Sequence, residues 1–281
     1  MIWLVPAALC SIAIALILKM NEGRGGSRIL IAGANYLVAS AISLFMLGGR
    51  IPHPGEATLA LGIAAGVVYV LGFLLLMAGI ARLPLAVPVT IARLSVAIPV
   101  IVAILFWAEK PGVFQWLGLF LGLVAILIFG RSFSGQGRGS GGGRRAALLV
   151  PALFVVLGLG DVALKAFRET APDLDRLAFT WILFTAAAVL TWILIATRRV
   201  RFDARTFGLG LLLGVPNLFS TVFTLLALRA VPASIAFPFI NLNVIVGSTL
   251  AGFVLWKERL RGMSVAGLIV AGCAMVLLAL R

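Results

Sequence analysis

The chain has 281 residues, of which 62% are hydrophobic and 11% are charged, and its mean hydropathy is +1.18. Ordinary soluble domains do not have this composition, so we expect a polytopic membrane protein. The formal net charge of +14 would suit a nucleic-acid partner. However, the Lys and Arg residues occupy short gaps between apolar runs, which is typical of the positive-inside bias and argues against a nucleic-acid surface.

Ten apolar runs are predicted to cross the membrane as helices, because about 20 helical residues cover a hydrocarbon core of about 30 Å. The first run lacks the basic segment of a signal peptide, so we expect it to be retained as a span. The predicted spans are Ile2–Leu18, Ile29–Leu47, Ala57–Ala81, Leu83–Trp107, Val113–Phe129, Ala146–Phe167, Leu177–Thr197, Phe207–Leu228, Val231–Trp256 and Met263–Leu280.

A Gly/Ser-rich basic gap at residues 131–145 predicts a flexible linker between two blocks of five spans, 1–130 and 146–281. The blocks share sequence features: Trp107-x-Glu109 ends the fourth span, and Trp256-x-Glu258 ends the ninth. Because five is an odd number, the second block must enter the membrane in the opposite orientation. Inverted repeats of this kind place a transport pathway between the two halves.

Further shared features are a proline at the start of the fourth and ninth spans (Pro84 and Pro232) and a Gly-rich helix after each Trp-x-Glu motif. With these motifs the sequence resembles the drug/metabolite transporter superfamily, specifically its ten-helix EamA-type members, over nearly the whole chain. The resemblance implies an all-α basket of ten transmembrane helices in two inverted repeats. It also implies a central cavity lined by the third, fourth, eighth and ninth helices.

Arg93 lies about ten residues into the fourth span, near the bilayer centre. An isolated guanidinium there costs at least ~2.5–3.5 kcal/mol, so it must face protein or water. Its counterpart in the second repeat is Asn243. Two roles remain open, which need not exclude each other: an anchor for a substrate carboxylate or other anion, which suits the planar guanidinium fork, and a buried ion pair with Asp161.

Asp161 and Lys165 stand four residues apart on the sixth span, so they share a helix face. Asp161 is the acidic residue placed well inside a span. If substrate and proton compete for it, it couples transport to protons, and Lys165 is then its coupling partner. The alternative is that Asp161 forms a permanent ion pair, with Lys165 or Arg93, that fixes helix packing. Lys165 lies close to a helix end, where reaching towards the membrane surface is the simpler explanation.

Several other polar side chains are predicted to give hydrogen bonds inside a mostly apolar cavity. The predicted substrate-binding residues, besides Arg93 and Asn243, are Tyr69, Thr90, Asn217, Ser220 and Asn241. The three asparagines are the stronger candidates, because a Ser or Thr hydroxyl readily bonds back to its own helix. We interpret Glu109 and Glu258 as helix-end pairs or gate elements.

Three Gly-xxx-Gly pairs lie in the spans, beginning at Gly62, Gly118 and Gly210. Such pairs let helices approach closely, and we expect them to serve internal packing rather than dimerisation. The chain should accordingly be a monomer or a weak homodimer.

The leading hypothesis is a carrier for a small polar metabolite such as an amino acid, working by alternating access and, by resemblance, exporting its substrate. Multidrug or organic-cation efflux remains open, as does a lipid-linked carrier flippase or accessory membrane protein. We expect no enzymatic activity, cofactor or metal, since the sole histidine, His53, lies in a loop. The expected partners are the substrate, the lipid bilayer and, if transport is coupled, protons.

The gaps after the odd-numbered spans carry 15 of the 23 Lys and Arg residues. The positive-inside rule therefore predicts a cytoplasmic linker and both termini outside an inner membrane.

Overall fold

A computed structural model describes residues 2–22, 25–82, 86–134, 144–171, 175–256 and 262–280. The regular secondary structure of these residues is helical throughout. The helices are α1 (Leu4–Glu22), α2 (Arg28–Met46), α3 (Glu56–Arg82), α4 (Ala86–Leu94), α5 (Ala97–Phe106), α6 (Val113–Ser134), α7 (Arg144–Thr170), α8 (Arg176–Thr197), α9 (Ala204–Ala227), α10 (Ala233–Trp256) and α11 (Gly262–Ala279).

Seven of the described helices are long and apolar enough to cross a membrane, and three shorter apolar segments accompany them. The shorter segments are Ile91–Phe106, Val113–Ile128 and Val265–Ala279. Together they correspond to the ten predicted spans, so the predicted all-α membrane fold is confirmed.

The fourth span is not one helix but two, α4 and α5, separated at Ser95 and Val96. Pro99 explains the break, because it has no N–H to donate to the carbonyl of Ser95 one turn earlier. That carbonyl instead accepts from the N–H of Ile98 at 3.0 Å. The hydroxyl of Ser95 donates to the carbonyl of Ala92 at 2.8 Å.

The predicted linker, residues 131–145, is too long at both ends. Helix α6 continues to Ser134 and α7 already begins at Arg144. Arg has a high helix propensity and Ser an intermediate one, so a helix can continue beyond the apolar residues from which it was predicted. Residues 135–143 lie outside the described residues.

The helices form two compact units. Unit 1 comprises Met1–Val70 and Ala163–Ala230, and unit 2 comprises Leu71–Val162 and Val231–Arg281. Each unit contains helices from both predicted sequence blocks, and the long helices α3 and α7 contribute a part to each unit.

In unit 1, α2 packs against both α8 and α9. Gly210 and Gly214 make the α9 contact possible, because a Cβ atom at Gly214 would overlap Val38 and lie 2.5 Å from the carbonyl oxygen of Asn35. On the α8 side of the unit, the rings of Phe167 and Phe179 stack with centroids 4.1 Å apart.

The other two glycine pairs also lie at helix contacts. In unit 1, a Cβ atom at Gly66 would lie 2.6 Å from the carbonyl oxygen of Leu183 on α8. In unit 2, a Cβ atom at Gly118 would lie 3.1 Å from the carbonyl oxygen of Ala274 on α11. The prediction that the glycine pairs serve packing within the chain is confirmed.

Many large apolar side chains lie on the surface, including Phe45 at 83% exposure, Leu105 at 72% and Val254 at 69%. A soluble monomer rarely exposes contiguous apolar surface on this scale, whereas a lipid-facing helix must. The surface therefore agrees with the composition in placing these helices in a bilayer.

Candidate functional site

Arg93 lies in the last turn of α4, at the break within the fourth span. The carbonyl end of a helix carries a partial negative charge, so a cation is favoured there. The Nη1 atom of Arg93 donates to the Oδ1 atom of Asn241 on α10, at 3.4 Å. Both side chains are half-buried. Helix α4 thus ends on a cation that is held by an amide from α10.

Asp161 reaches the same region because α7 approaches the α4–α5 break closely. A Cβ atom at Gly158 would lie 2.9 Å from the carbonyl oxygen of Ser95, so only glycine allows this contact. Asp161 follows Gly158 by nearly one turn and interacts electrostatically with Arg93. Arg93, Asn241 and Asp161, all in unit 2, are called the Arg93 cluster below.

The amides of Asn241 and Asn243 both donate to their own helix. Their Nδ2 atoms bond the carbonyl oxygens of Phe237 at 3.1 Å and Phe239 at 2.9 Å. In Asn241 this leaves Oδ1 for Arg93. In the repeat alignment, Arg93 corresponds to Asn243. However, residues two positions apart on a helix point in directions about 200° apart, so Asn243 cannot take the place of Asn241 beside Arg93.

Three of the predicted binding residues lie in unit 1. The Nδ2 atom of Asn217 donates to Oδ1 of Asn35 on α2 at 3.0 Å, and the hydroxyls of Ser220 and Ser11 are 2.7 Å apart. Tyr69 is half-buried on the part of α3 that belongs to the same unit. The structure therefore joins Asn217 and Ser220 to α2 and α1, and it assigns the Arg93 cluster to unit 2.

Asn35 and Ser11, the partners in these contacts, are not among the residues predicted from the sequence. Asn35 carried the same signal that drew attention to Asn217, an amide within an apolar run. It was missed because α2 lacks the motifs that directed attention to α9 and α10.

Lys165 is buried on α7 and forms an ion pair with Glu169, one turn further along the helix. Glu169 is exposed at the end of α7 and was not considered from the sequence. The coupling roles of Asp161 and Lys165 remain predictions.

Glu109 caps the start of α10 from the end of the neighbouring span. Its carboxylate accepts from the N–H groups of Ala233 at 2.8 Å and Ser234 at 2.9 Å, the first two residues of α10. The turn that aims it contains Ala108 with a φ of 51°, after which the N–H of Glu109 returns to the carbonyl of Ala103 at 3.2 Å. Glu258 and the side chain of Thr90 lie outside the described part of the chain.

Unit 2 also contains an apolar cavity of about 160 Å³ between α5, α6 and α10. Its lining includes Val96, next to the helix break, and Leu242, next to Asn241. An apolar cavity of about 150 Å³ can hold a benzene-sized group. Among the described residues, no group of three or more His, Cys, Asp and Glu side chains could hold a metal, and Cys10 and Cys273 are both free thiols.

Residues 1–131 match the model of the EamA-like transporter family. One solved crystal structure aligns with 98% of this chain and 94% of its own length, with a TM-score of 0.80 and 14% sequence identity. At that identity the likeness shows a shared fold alone. No curated protein sequence matches the chain. The resemblance drawn from the sequence is therefore confirmed over residues 1–131, and the chain is a multi-pass membrane protein.

Proposed function

We propose that the protein exports a small polar metabolite such as an amino acid by alternating access, with the Arg93 cluster as its substrate-binding site. The observation that carries the proposal is the bond from Arg93 to Asn241, beside the carboxylate of Asp161. Charged groups inside a membrane are costly and mark substrate or ion pathways by default.

The chemistry of the cluster suits a zwitterion. The guanidinium of Arg93 can hold a substrate carboxylate with two parallel hydrogen bonds, and the carboxylate of Asp161 can accept from a substrate ammonium. Asn241 holds Arg93 in place when the site is empty. The nearby apolar cavity offers room for an uncharged part of the substrate.

A permanently bound ion pair between Arg93 and Asp161 would need no substrate. Both side chains, however, are only half-buried, so each keeps a surface that a ligand can reach. An organic cation is a poorer ligand for this cluster, since it meets the guanidinium charge of Arg93 in a medium that screens little. An anionic lipid headgroup would suit Arg93 but would leave Asp161 facing a like charge.

Uptake and efflux of a metabolite panel by reconstituted vesicles, with and without a pH gradient, test the proposal. We expect Arg93→Ala to abolish transport of the substrate while the protein stays folded. Ser248→Ala is the matched control on α10, because its hydroxyl donates to the carbonyl of Ile245 on its own helix, at 3.2 Å, and the described residues show no bond from it to another helix; this variant should transport normally.

If Arg93→Ala instead unfolds the protein and Asp161→Asn partly restores folding, the pair is structural and the proposed site is wrong. Asp161→Asn should also remove the response of transport to the pH gradient if Asp161 couples protons. An unchanged pH response would refute the coupling role but leave the binding site standing.

The proposed orientation has both termini outside the cell membrane and the linker inside. Compartment-sensitive reporters fused to each terminus test it. Cytoplasmic signals from both fusions would reverse the orientation without affecting the proposed site.

A further inference from the structure

The apolar cavity between α5, α6 and α10 in unit 2 opens on a surface that faces lipid. Two of its lining residues, Ile101 on α5 and Trp116 on α6, are each 52% exposed. Leu105 and Phe120, one turn further along the same two helices, are more exposed still. The mouth of the cavity is therefore continuous with apolar surface that a bilayer covers. This cavity is called the lateral cavity below.

The walls of the lateral cavity are apolar. The described residues that line it are aliphatic apart from Gly122, Pro238 and Trp116, and only the side chain of Trp116 carries an N–H group. A buried water needs two to four polar partners, so water is a poor occupant. Hydrocarbon suits these walls, because it gains dispersion contacts from all of them.

The lateral cavity extends along the helices over about the thickness of one leaflet. On α6, its lining residues run from Trp116 to Ile126, which corresponds to about 15 Å of helix. A hydrocarbon core of about 30 Å gives each leaflet about 15 Å. The length of the cavity therefore matches the part of an acyl chain that lies within one leaflet.

The two ends of the lateral cavity lie at different depths. One end, with Ile104 and Trp116, adjoins the α5–α6 connection, and tryptophan is enriched at the membrane interface. Lys110 is exposed in this connection and supplies a positive charge for a lipid phosphate. The other end reaches Val96 at the break in the fourth span, close to Arg93, which is predicted to lie near the bilayer centre. A lipid chain can thus enter at the interface and end at the break.

We propose that the lateral cavity binds one acyl chain of a bilayer phospholipid, with the phosphate at the level of Lys110 and the chain end beside Val96. The bound chain separates α5 from α6 next to the break in the fourth span. The site goes beyond the proposed transport site, because none of Arg93, Asn241 and Asp161 lines the cavity. The cavity has room for about one benzene-sized group, so a lipid chain and an uncharged part of a substrate occupy it in turn.

Photolabelling of the purified full-length protein in nanodiscs tests the proposal. The probe is a phospholipid with a diazirine in one acyl chain, which loses N₂ on irradiation and leaves a carbene that inserts into nearby bonds. Lipids around the protein label exposed side chains such as Ile269 on α11, which is 63% exposed. A chain inside the cavity is needed to label Leu119 and Ile126, which line it and are 9% and 3% exposed.

We expect mass spectrometry of the digested protein to find labels on Leu119 and Ile126 as well as on Ile269. Labels on exposed residues alone would overturn the proposal. The position of the diazirine tests the direction of the chain. A diazirine near the ester should label Trp116 more than Ile126, and one near the chain end should do the reverse. The same pattern from both probes, or the opposite order, would contradict the proposed direction.

Variants that fill the cavity locate the chain. Gly122→Leu adds a side chain to the wall formed by α6, and Ala97→Leu enlarges one on α5. Each should lower the labelling of the two buried residues relative to Ile269 at least about tenfold, because the cavity has little more space than one benzene-sized group. Gly272→Leu is the matched control on α11, because a Cβ atom there meets nothing within 4 Å, and it should be labelled as the wild type is. If the buried residues are labelled as strongly in both filling variants as in the wild type, the chain does not occupy the lateral cavity and the proposal is wrong.

Discussion

Replacing Glu109 by alanine removes the carboxylate that caps the start of α10. The N–H groups of Ala233 and Ser234, whose nitrogens lie 2.8 Å and 2.9 Å from the carboxylate oxygens, then lose their charged acceptor. A hydrogen bond to a charged group contributes about 1.5–3 kcal/mol, so two would contribute roughly 3–6 kcal/mol if no water replaced them. Glu109 is only half-buried, and water can reach the freed donors, so we expect a loss of about half that, roughly 1.5–3 kcal/mol.

Thermal unfolding in a mild detergent measures the effect. A loss of this size should lower Tm by roughly 3–10 °C. Glu109→Gln keeps one accepting oxygen and should lose about half as much. Glu56→Ala is the matched control, an exposed acid in the first turn of α3 whose removal should cost only about 0.3–1 kcal/mol. If Glu109→Ala shifts Tm no more than Glu56→Ala does, Glu109 does not hold α10 in place.

Three further outcomes can be measured with the same unfolding assay. Gly214→Ala should lower the free energy of unfolding by about 1–3 kcal/mol, because its Cβ atom would overlap α2, whereas Gly208→Ala on the same helix should raise it by up to about 1 kcal/mol. Ala108→Gly should raise it by about 1 kcal/mol, because alanine at a φ of 51° is strained, and an unchanged or lower value would refute the strain. Asp203→Asn should differ from wild type by a constant free energy between pH 5 and 8. The pKa of Asp203 is lowered in the folded state, so its contribution is lost only as pH falls below about 4, and a difference that varies near neutral pH would contradict this.

The helices were predictable because each apolar run is long and the gaps between runs are charged. The break in the fourth span could not be predicted from hydropathy, because Ser95 and Val96 lie within a continuous apolar run that is long enough for one helix. Pro99 was the available signal, but proline in the first turn of a helix is common and does not by itself announce a break. Helix α6 extends to Ser134, beyond the predicted end at Phe129, because helical hydrogen bonds do not require apolar side chains.

The candidate site was predictable residue by residue but not as an arrangement. A charge or an amide in an apolar run must find a partner, which selected Arg93, Asp161 and Asn241 without a structure. The partner itself depends on the rotation of each helix, so the sequence could name Asn241 and Asn243 as candidates but could not tell which of them bonds Arg93. The capping role of Glu109 depends on a turn with a left-handed alanine, which no pattern of residue types indicates.

The sequence separation of Arg93 and Asn241 determines the order in which the members of the Arg93 cluster are synthesised. The two residues are 148 positions apart in the chain, and synthesis proceeds at about 5–20 residues per second, so Asn241 follows Arg93 by roughly 7–30 s. During co-translational insertion the guanidinium must therefore be accommodated by water, by headgroups or by the insertion machinery before its amide partner exists. Asp161 is synthesised earlier than Asn241, and in the growing chain it is the first member of the cluster that can offer Arg93 an opposite charge.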